Sequence, residues 1–91
     1  MEETSLRLEI VEVAAKMYAR DFISGLSGNL SGRLPDGNLL VTPAGVPKAE
    51  LQPEQLVVVD LNGNPRNAPP GLKPTSELPM HLEVYRRRED V

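Results

Sequence analysis

Between Asn64 and Pro74 the chain carries Pro65, Pro69, Pro70, Pro74 and Gly71, a density that denies regular hydrogen-bonded structure and reads as a surface loop. A loop of that length in a small domain usually serves more than connection. Proline and glycine also set the other boundaries. Ser24-Gly25 supplies a helix stop, because glycine adopts the left-handed conformation that ends helices. Pro35-Asp36-Gly37-Asn38 has turn chemistry, Pro43-Ala44-Gly45-Val46-Pro47 interrupts a strand pattern, and Lys48 to Gln55 reads as one or two short helical turns around Pro53.

Within those limits the apolar positions define the elements. Leu6, Ile10, Val13 and Met17 recur at spacings of four, three and four, which puts them on one helical face, with Thr4 or Ser5 as cap and an end near Ile23. Leu30, Gly32 and Leu34 alternate with polar residues, and Leu39 to Thr42 returns as an apolar run, so the two form a hairpin across Pro35–Asn38. Leu56 to Leu61 reads as a buried strand ended by Asn62-Gly63. Thr75 or Ser76 caps a last helix in which Leu78, Leu82 and Tyr85 share a face and Pro79 is tolerated in the first turn. The expected order is helix, three strands, helix, in one domain over residues 1–91. Three short strands with two open edges, and a last helix with an apolar face, look like part of a larger sheet and layer.

Composition narrows the function classes. With 3% aromatic residues, no Trp and no Cys, the core is a thin aliphatic one without a disulfide or thiolate metal site, which suits a reducing compartment and the cytoplasm. Met1-Glu2-Glu3 has no basic leader pattern, and no apolar run nears the roughly 18 residues of a membrane span. A net charge of −3 gives no general attraction to nucleic acid, so any phosphate must be bound locally.

Three segments could bind such a group. Gly25-Leu26-Ser27-Gly28-Asn29-Leu30-Ser31-Gly32 joins a helix to a strand; its glycines and hydroxyls suit an anion, though a helix cap followed by a turn uses the same residues. Thr42-Pro43-Ala44-Gly45 ends a strand and by itself reads as a plain turn in which Pro and Gly fix the backbone. Thr75-Ser76-Glu77 opens a helix, where free N–H groups and two hydroxyls suit phosphate, or serve simply as a cap. His81, the single histidine, lies four residues after Glu77; a zinc site needs about three ligands, so His81 reads as a packing or hydrogen-bonding residue. Arg86-Arg87-Arg88 reads as a solvated basic helix end.

Taken in order, Gly28-Asn29-Leu30-Ser31-Gly32-Arg33, Thr42-Pro43-Ala44-Gly45, the Val57-Val58-Val59-Asp60 strand with Asn62-Gly63, and Thr75-Ser76-Glu77-Leu78-Pro79-Met80-His81 resemble the class II aldolase/adducin family, in its fuculose-phosphate aldolase type. The resemblance implies an α/β fold, a three-layer α/β/α domain of which this chain is the N-terminal half. It implies substrate phosphate binding by Gly28, Asn29, Gly45, Thr75 and Ser76, and a catalytic acid–base role for Glu77. It further implies a zinc-dependent aldolase that cleaves a ketose phosphate to dihydroxyacetone phosphate and an aldehyde, working as a homo-oligomer that is a tetramer in relatives. Ala44 stands where relatives often carry a hydroxyl residue. The family's zinc-binding His-x-His would fall beyond Val91, so no metal ligand is expected here and the 91 residues alone are expected to be inactive. Alternatives within the resemblance are a non-catalytic interaction module of the adducin-head type, and a sugar-phosphate epimerase or methylthioribulose-phosphate dehydratase.

Overall fold

The computed structural model describes residues 2–91. Helix α1 (Glu3–Ala19) leads into strands β1 (Ser31–Arg33) and β2 (Leu39–Val41); two 3-10 turns, Lys48–Glu50 and Pro53–Gln55, precede β3 (Val57–Val59), followed by β4 (Pro65–Asn67) and helix α2 (Leu78–Arg87). The strands form one antiparallel sheet in the order β1-β2-β3-β4. The expected hairpin is present, with Ser31 opposite Val41 and Arg33 opposite Leu39. Its turn is closed by the Leu34 N–H on the Asn38 carbonyl at 2.8 Å and by the Asn38 N–H on Asp36 Oδ1 at 2.9 Å.

A fourth strand replaces part of the loop expected at 64–74. Pro65 is the first residue of β4 and sits opposite Val59, while Asn67 sits opposite Val58 across an irregularity in register. β4 is the edge of the sheet and fully exposed, and an edge is where a proline can enter a sheet without removing a needed N–H. The β3–β4 connection is held by Asp60, whose Oδ1 accepts from the backbone N–H groups of Asn62 and Asn64, both at 2.9 Å.

Helices cover both faces of the sheet, giving an α/β/α layering. Leu40 and Val58, paired across β2 and β3, pack under Ile10 and Ala14 of α1 with Leu34, Leu51 and Leu56. Leu39, Val41, Val57 and Val59 point the other way, onto Leu78, Leu82 and Tyr85 of α2. With both faces covered, β2 and β3 are buried at every position, which explains why they read as continuous apolar runs and not as alternating ones. Each fully buried Leu or Val contributes about 1.5–3 kcal/mol relative to exposure. The α2 face is the one expected. On α1 the buried pair is Ile10 and Ala14, while Val13 is exposed, so its buried stripe is rotated from the spacing of the large side chains.

The helix ends also differ from expectation. Glu2, not Thr4 or Ser5, caps α1, accepting from the Ser5 N–H at 3.0 Å and the Ser5 hydroxyl at 2.8 Å. The helix stops at Ala19, before Ser24-Gly25, because Asp21 takes the left-handed conformation at φ 60°. The N–H groups of Phe22 and Asp21 then return to the carbonyls of Met17 and Tyr18, a glycine-type helix ending made with an aspartate. For α2, Glu77 is the flanking residue, and Thr75, one of the two expected caps, accepts from the Glu77 N–H two residues on. Among the described residues no helix is long and apolar enough to cross a membrane.

Candidate active site

Thr42, fully buried at the end of β2, ties three distant segments together. Its N–H donates to the Leu30 carbonyl at 3.0 Å, its Oγ1 accepts from the Leu30 N–H at 3.1 Å, and its carbonyl accepts from the Thr75 N–H at 2.9 Å. One step further along, Pro43 bridges Pro74, and the Ala44 N–H donates to the Lys73 carbonyl at 2.9 Å. The Gly28-Asn29 turn, the Thr42–Gly45 turn and the Thr75-Ser76-Glu77 helix start are thereby locked side by side. Reading the sequence singled out all three segments but not Thr42 as the residue that joins them. A strand-ending threonine between buried valine and proline was its only local signal.

The individual positions are built for different tasks. Gly28 sits at φ +81°, and a Cβ there would lie 2.6 Å from Ile23 Cγ2, so this turn admits only glycine without rearrangement. Gly45 is at φ +78° with nothing within 4 Å of a notional Cβ, so its backbone faces open space. Among the described residues the backbone N–H groups of Gly28, Asn29, Gly45 and Ser76, the Asn29 amide NH2 and the Ser76 hydroxyl make no hydrogen bond within the chain. Thr75 is buried, and its Oγ1 accepts from the Glu77 N–H at 3.3 Å; Ser76 and Glu77 are exposed. The α2 N-terminus adds the positive end of its dipole beside these free donors. Free donors without an acceptor, gathered at a helix start, are the chemistry of an anion site.

His81 is embedded in a polar chain that the sequence gave little reason to expect. Its Nε2 bonds Asn29 Oδ1, its Nδ1 bonds the Ser31 hydroxyl at 2.6 Å, and that hydroxyl bonds the Tyr85 hydroxyl at 2.8 Å. His81 and Tyr85 are one helical turn apart and so share a face of α2, while Asn29 and Ser31 lie two residues apart at the start of β1. Burial pushes the imidazole below its ordinary value, with the Glu77 carboxylate pulling the other way. The hydrogen-bonding role read for His81 therefore holds. A cavity of about 350 Å³ opens beside it, lined by Asn29, Leu30, Met80, Val84 and Tyr85 among others. Among the described residues no group of three or more His, Cys, Asp or Glu side chains is placed to hold a metal ion. The three arginines are exposed and each is satisfied: Arg86 by the Leu61 carbonyl, Arg87 by Glu83 and Arg88 by Asp90.

Residues 8–91 match the family model described as Class II Aldolase and Adducin N-terminal domain. The chain belongs to this family. It is 42% identical over 84 residues to a 3-oxo-tetronate 4-phosphate decarboxylase of Escherichia coli strain K12, covering 92% of this chain and 38% of that protein. It is 38% identical to an L-fuculose phosphate aldolase of Methanococcus maripaludis, over 91% of this chain and 43% of the relative. It is 39% identical to a methylthioribulose-1-phosphate dehydratase of Granulibacter bethesdensis, over 85% and 35%. In three dimensions it superposes on YgbL of Klebsiella pneumoniae, a candidate aldolase/epimerase/decarboxylase, with a TM-score of 0.90 at 42% identity, over 98% of this chain and 42% of that one. The chain thus spans about two fifths of the length of the curated relatives it matches. As a class II aldolase-family domain it sits among lyases, dehydratases and decarboxylases, and the fold expected from the resemblance is the one found.

Proposed function

We propose that this chain supplies the phosphate-holding part of an enzyme that breaks a bond beside the carbonyl of an open-chain sugar phosphate, with aldol cleavage of a ketose phosphate to dihydroxyacetone phosphate and an aldehyde as its reaction. The observation that supports this most is the Thr42 junction, which sets two glycine turns and a helix start together with their donors free. The names of the three relatives share one chemical element: 3-oxo-tetronate 4-phosphate and the 1-phosphate of a ribulose carry phosphate on the carbon next to a ketone, as fuculose 1-phosphate does. A site that grips that phosphate fixes the ketone at a constant distance, whichever bond then breaks.

In this reading Gly28, Asn29, Gly45, Thr75 and Ser76 hold the phosphate. Glu77, exposed one residue past Ser76, then lies where it can move a proton at the carbons or hydroxyls beyond it. Aldol cleavage needs a proton taken from the hydroxyl two carbons from the ketone and one returned to the carbon left as an enediolate, and a single carboxylate serves both steps. Decarboxylation of a 3-oxo acid phosphate is the second reading, favoured by the higher identity to the decarboxylase, 42% against 38%. It passes through the same enediolate and differs only in what leaves.

The test is an amide-resolved NMR titration of the chain with inorganic phosphate and with dihydroxyacetone phosphate. Saturable shifts concentrated at Gly28, Asn29, Gly45 and Ser76 are expected. Shifts confined to Arg86–Arg88, or none at millimolar ligand, would overturn the proposal.

A further inference from the structure

Asn29, His81, Ser31 and Tyr85 form one continuous polar chain. Nothing in a phosphate grip requires a histidine here, yet the half-buried ring is bonded through both nitrogens. The proton positions follow from the partners. Asn29 Oδ1 only accepts, so Nε2 carries the proton; a neutral ring then leaves Nδ1 as acceptor for the Ser31 O–H, and the Ser31 oxygen accepts from the Tyr85 O–H. Every group in the chain is satisfied in this one direction. Burial disfavours the charged ring, so the ring stays neutral, and its partners set the tautomer.

The consequence falls on Asn29. A carboxamide can be turned end for end at little steric cost, and only its hydrogen bonds decide which end faces where. With Oδ1 taken by His81, the Asn29 NH2 is the free end of the carboxamide, and it has no hydrogen-bond partner among the described residues. If the amide were reversed, the oxygen would face the ligand, and an oxygen repels phosphate. We propose that His81 is the positioning residue of the site: it locks the Asn29 carboxamide with its donor end outward, and Ser31 and Tyr85 lock His81. The helix that offers its N-terminus to the anion thereby also orients the facing turn, so the two sides of the site are set by one element.

This inference rests on the reading of Asn29 as a phosphate contact, and a double-mutant cycle separates the two. Binding of inorganic phosphate by the full chain is followed by NMR for the parent, Asn29→Ala, His81→Phe and the double variant. Asn29→Ala is expected to weaken binding by about tenfold or more, the scale of one hydrogen bond to a charged ligand, and His81→Phe by a similar factor. The double variant should bind no worse than either single one, because both remove the same contact. The two Asn29 Nδ2 proton signals should move or broaden in His81→Phe, while His81→Gln, which keeps one N–H donor, should recover most of the affinity. If Asn29→Ala weakens binding but His81→Phe does not, or if the losses add fully, the positioning role is wrong and the phosphate site stands. If Asn29→Ala binds like the parent, the phosphate reading of this turn fails and the inference with it. Should His81→Phe not fold, Ser31→Ala removes the donor to Nδ1 on the same chain; a loosening in the same direction is expected, and unchanged binding would overturn the proposal.

Discussion

Thr42 shows how much one small polar side chain can hold in place. Its methyl and hydroxyl are both enclosed, and the hydroxyl accepts from the Leu30 N–H. Thr42→Val keeps the shape but leaves that part-buried N–H without its acceptor, so a loss of about 1 kcal/mol is expected. It should appear as a lower urea midpoint with an unchanged slope, and Thr42→Ser should recover much of it. Glu77 poses the opposite question, since its side chain caps nothing and carries no hydrogen bond among the described residues. In a protein where this chain continues into the rest of the family domain, Glu77→Gln should lower kcat by about 10² or more, the scale of lost general acid–base catalysis, with KM little changed. Asn29→Ala should instead act mainly on KM, because phosphate is held alike in ground and transition states. Near-normal turnover of Glu77→Gln would return this residue to the role of a helix-start charge. The segments that carry Asn29, Ser76 and Glu77 stand out in the sequence because their motifs are local; the partners of His81 do not, since a spacing of 50 or more residues separates each bonded pair.

At the level of elements, legibility followed the strength of the local signal. The face of α2 is plain because Leu78, Leu82 and Tyr85 recur at helical spacing, even though Met80 and Val84 stand exposed on the remainder. The face of α1 misleads because a small residue, Ala14, is what fits against the sheet, and Val13 beside it is the louder hydrophobe. The end of α1 was missed because Asp21 does what glycine usually does. β4 was missed because proline argues against a strand everywhere except at an edge, and which strand is the edge is a property of the whole sheet. Asp60 makes that edge possible, and it makes a pH signature. Its carboxyl is held below the ordinary value near 3.8, first by the Asn64 N–H, then by the Asn64 side chain, the Asn62 N–H and Arg66. A lowered folded-state value means that the ionised form favours folding. The contribution is complete above the ordinary value and fades as pH falls through the folded one. Asp60→Asn should therefore fall short of the parent in melting temperature near neutrality, with the gap closing at acid pH. A gap independent of pH would show that the turn does not depend on the charge.

For the molecule as a whole, the three segments of the site are brought together by a sheet that neither they nor their neighbours could form alone. Leu30 and Thr42 are 12 residues apart, and Thr42 and Thr75 a further 33. The unfolded chain therefore has no partial version of the site for a ligand to find. Occupancy and folding become a single linked equilibrium: an anion held here adds stability as RT ln(1 + [L]/Kd), about 2.7 kcal/mol at a hundredfold excess over Kd. For a small aliphatic core without disulfides or aromatic ballast, that is a substantial share of all the stability such a domain commonly has. On the proposed reading a bound phosphate would be a removable brace between the three segments, and the abundance of the folded protein would rise and fall with the supply of that ligand.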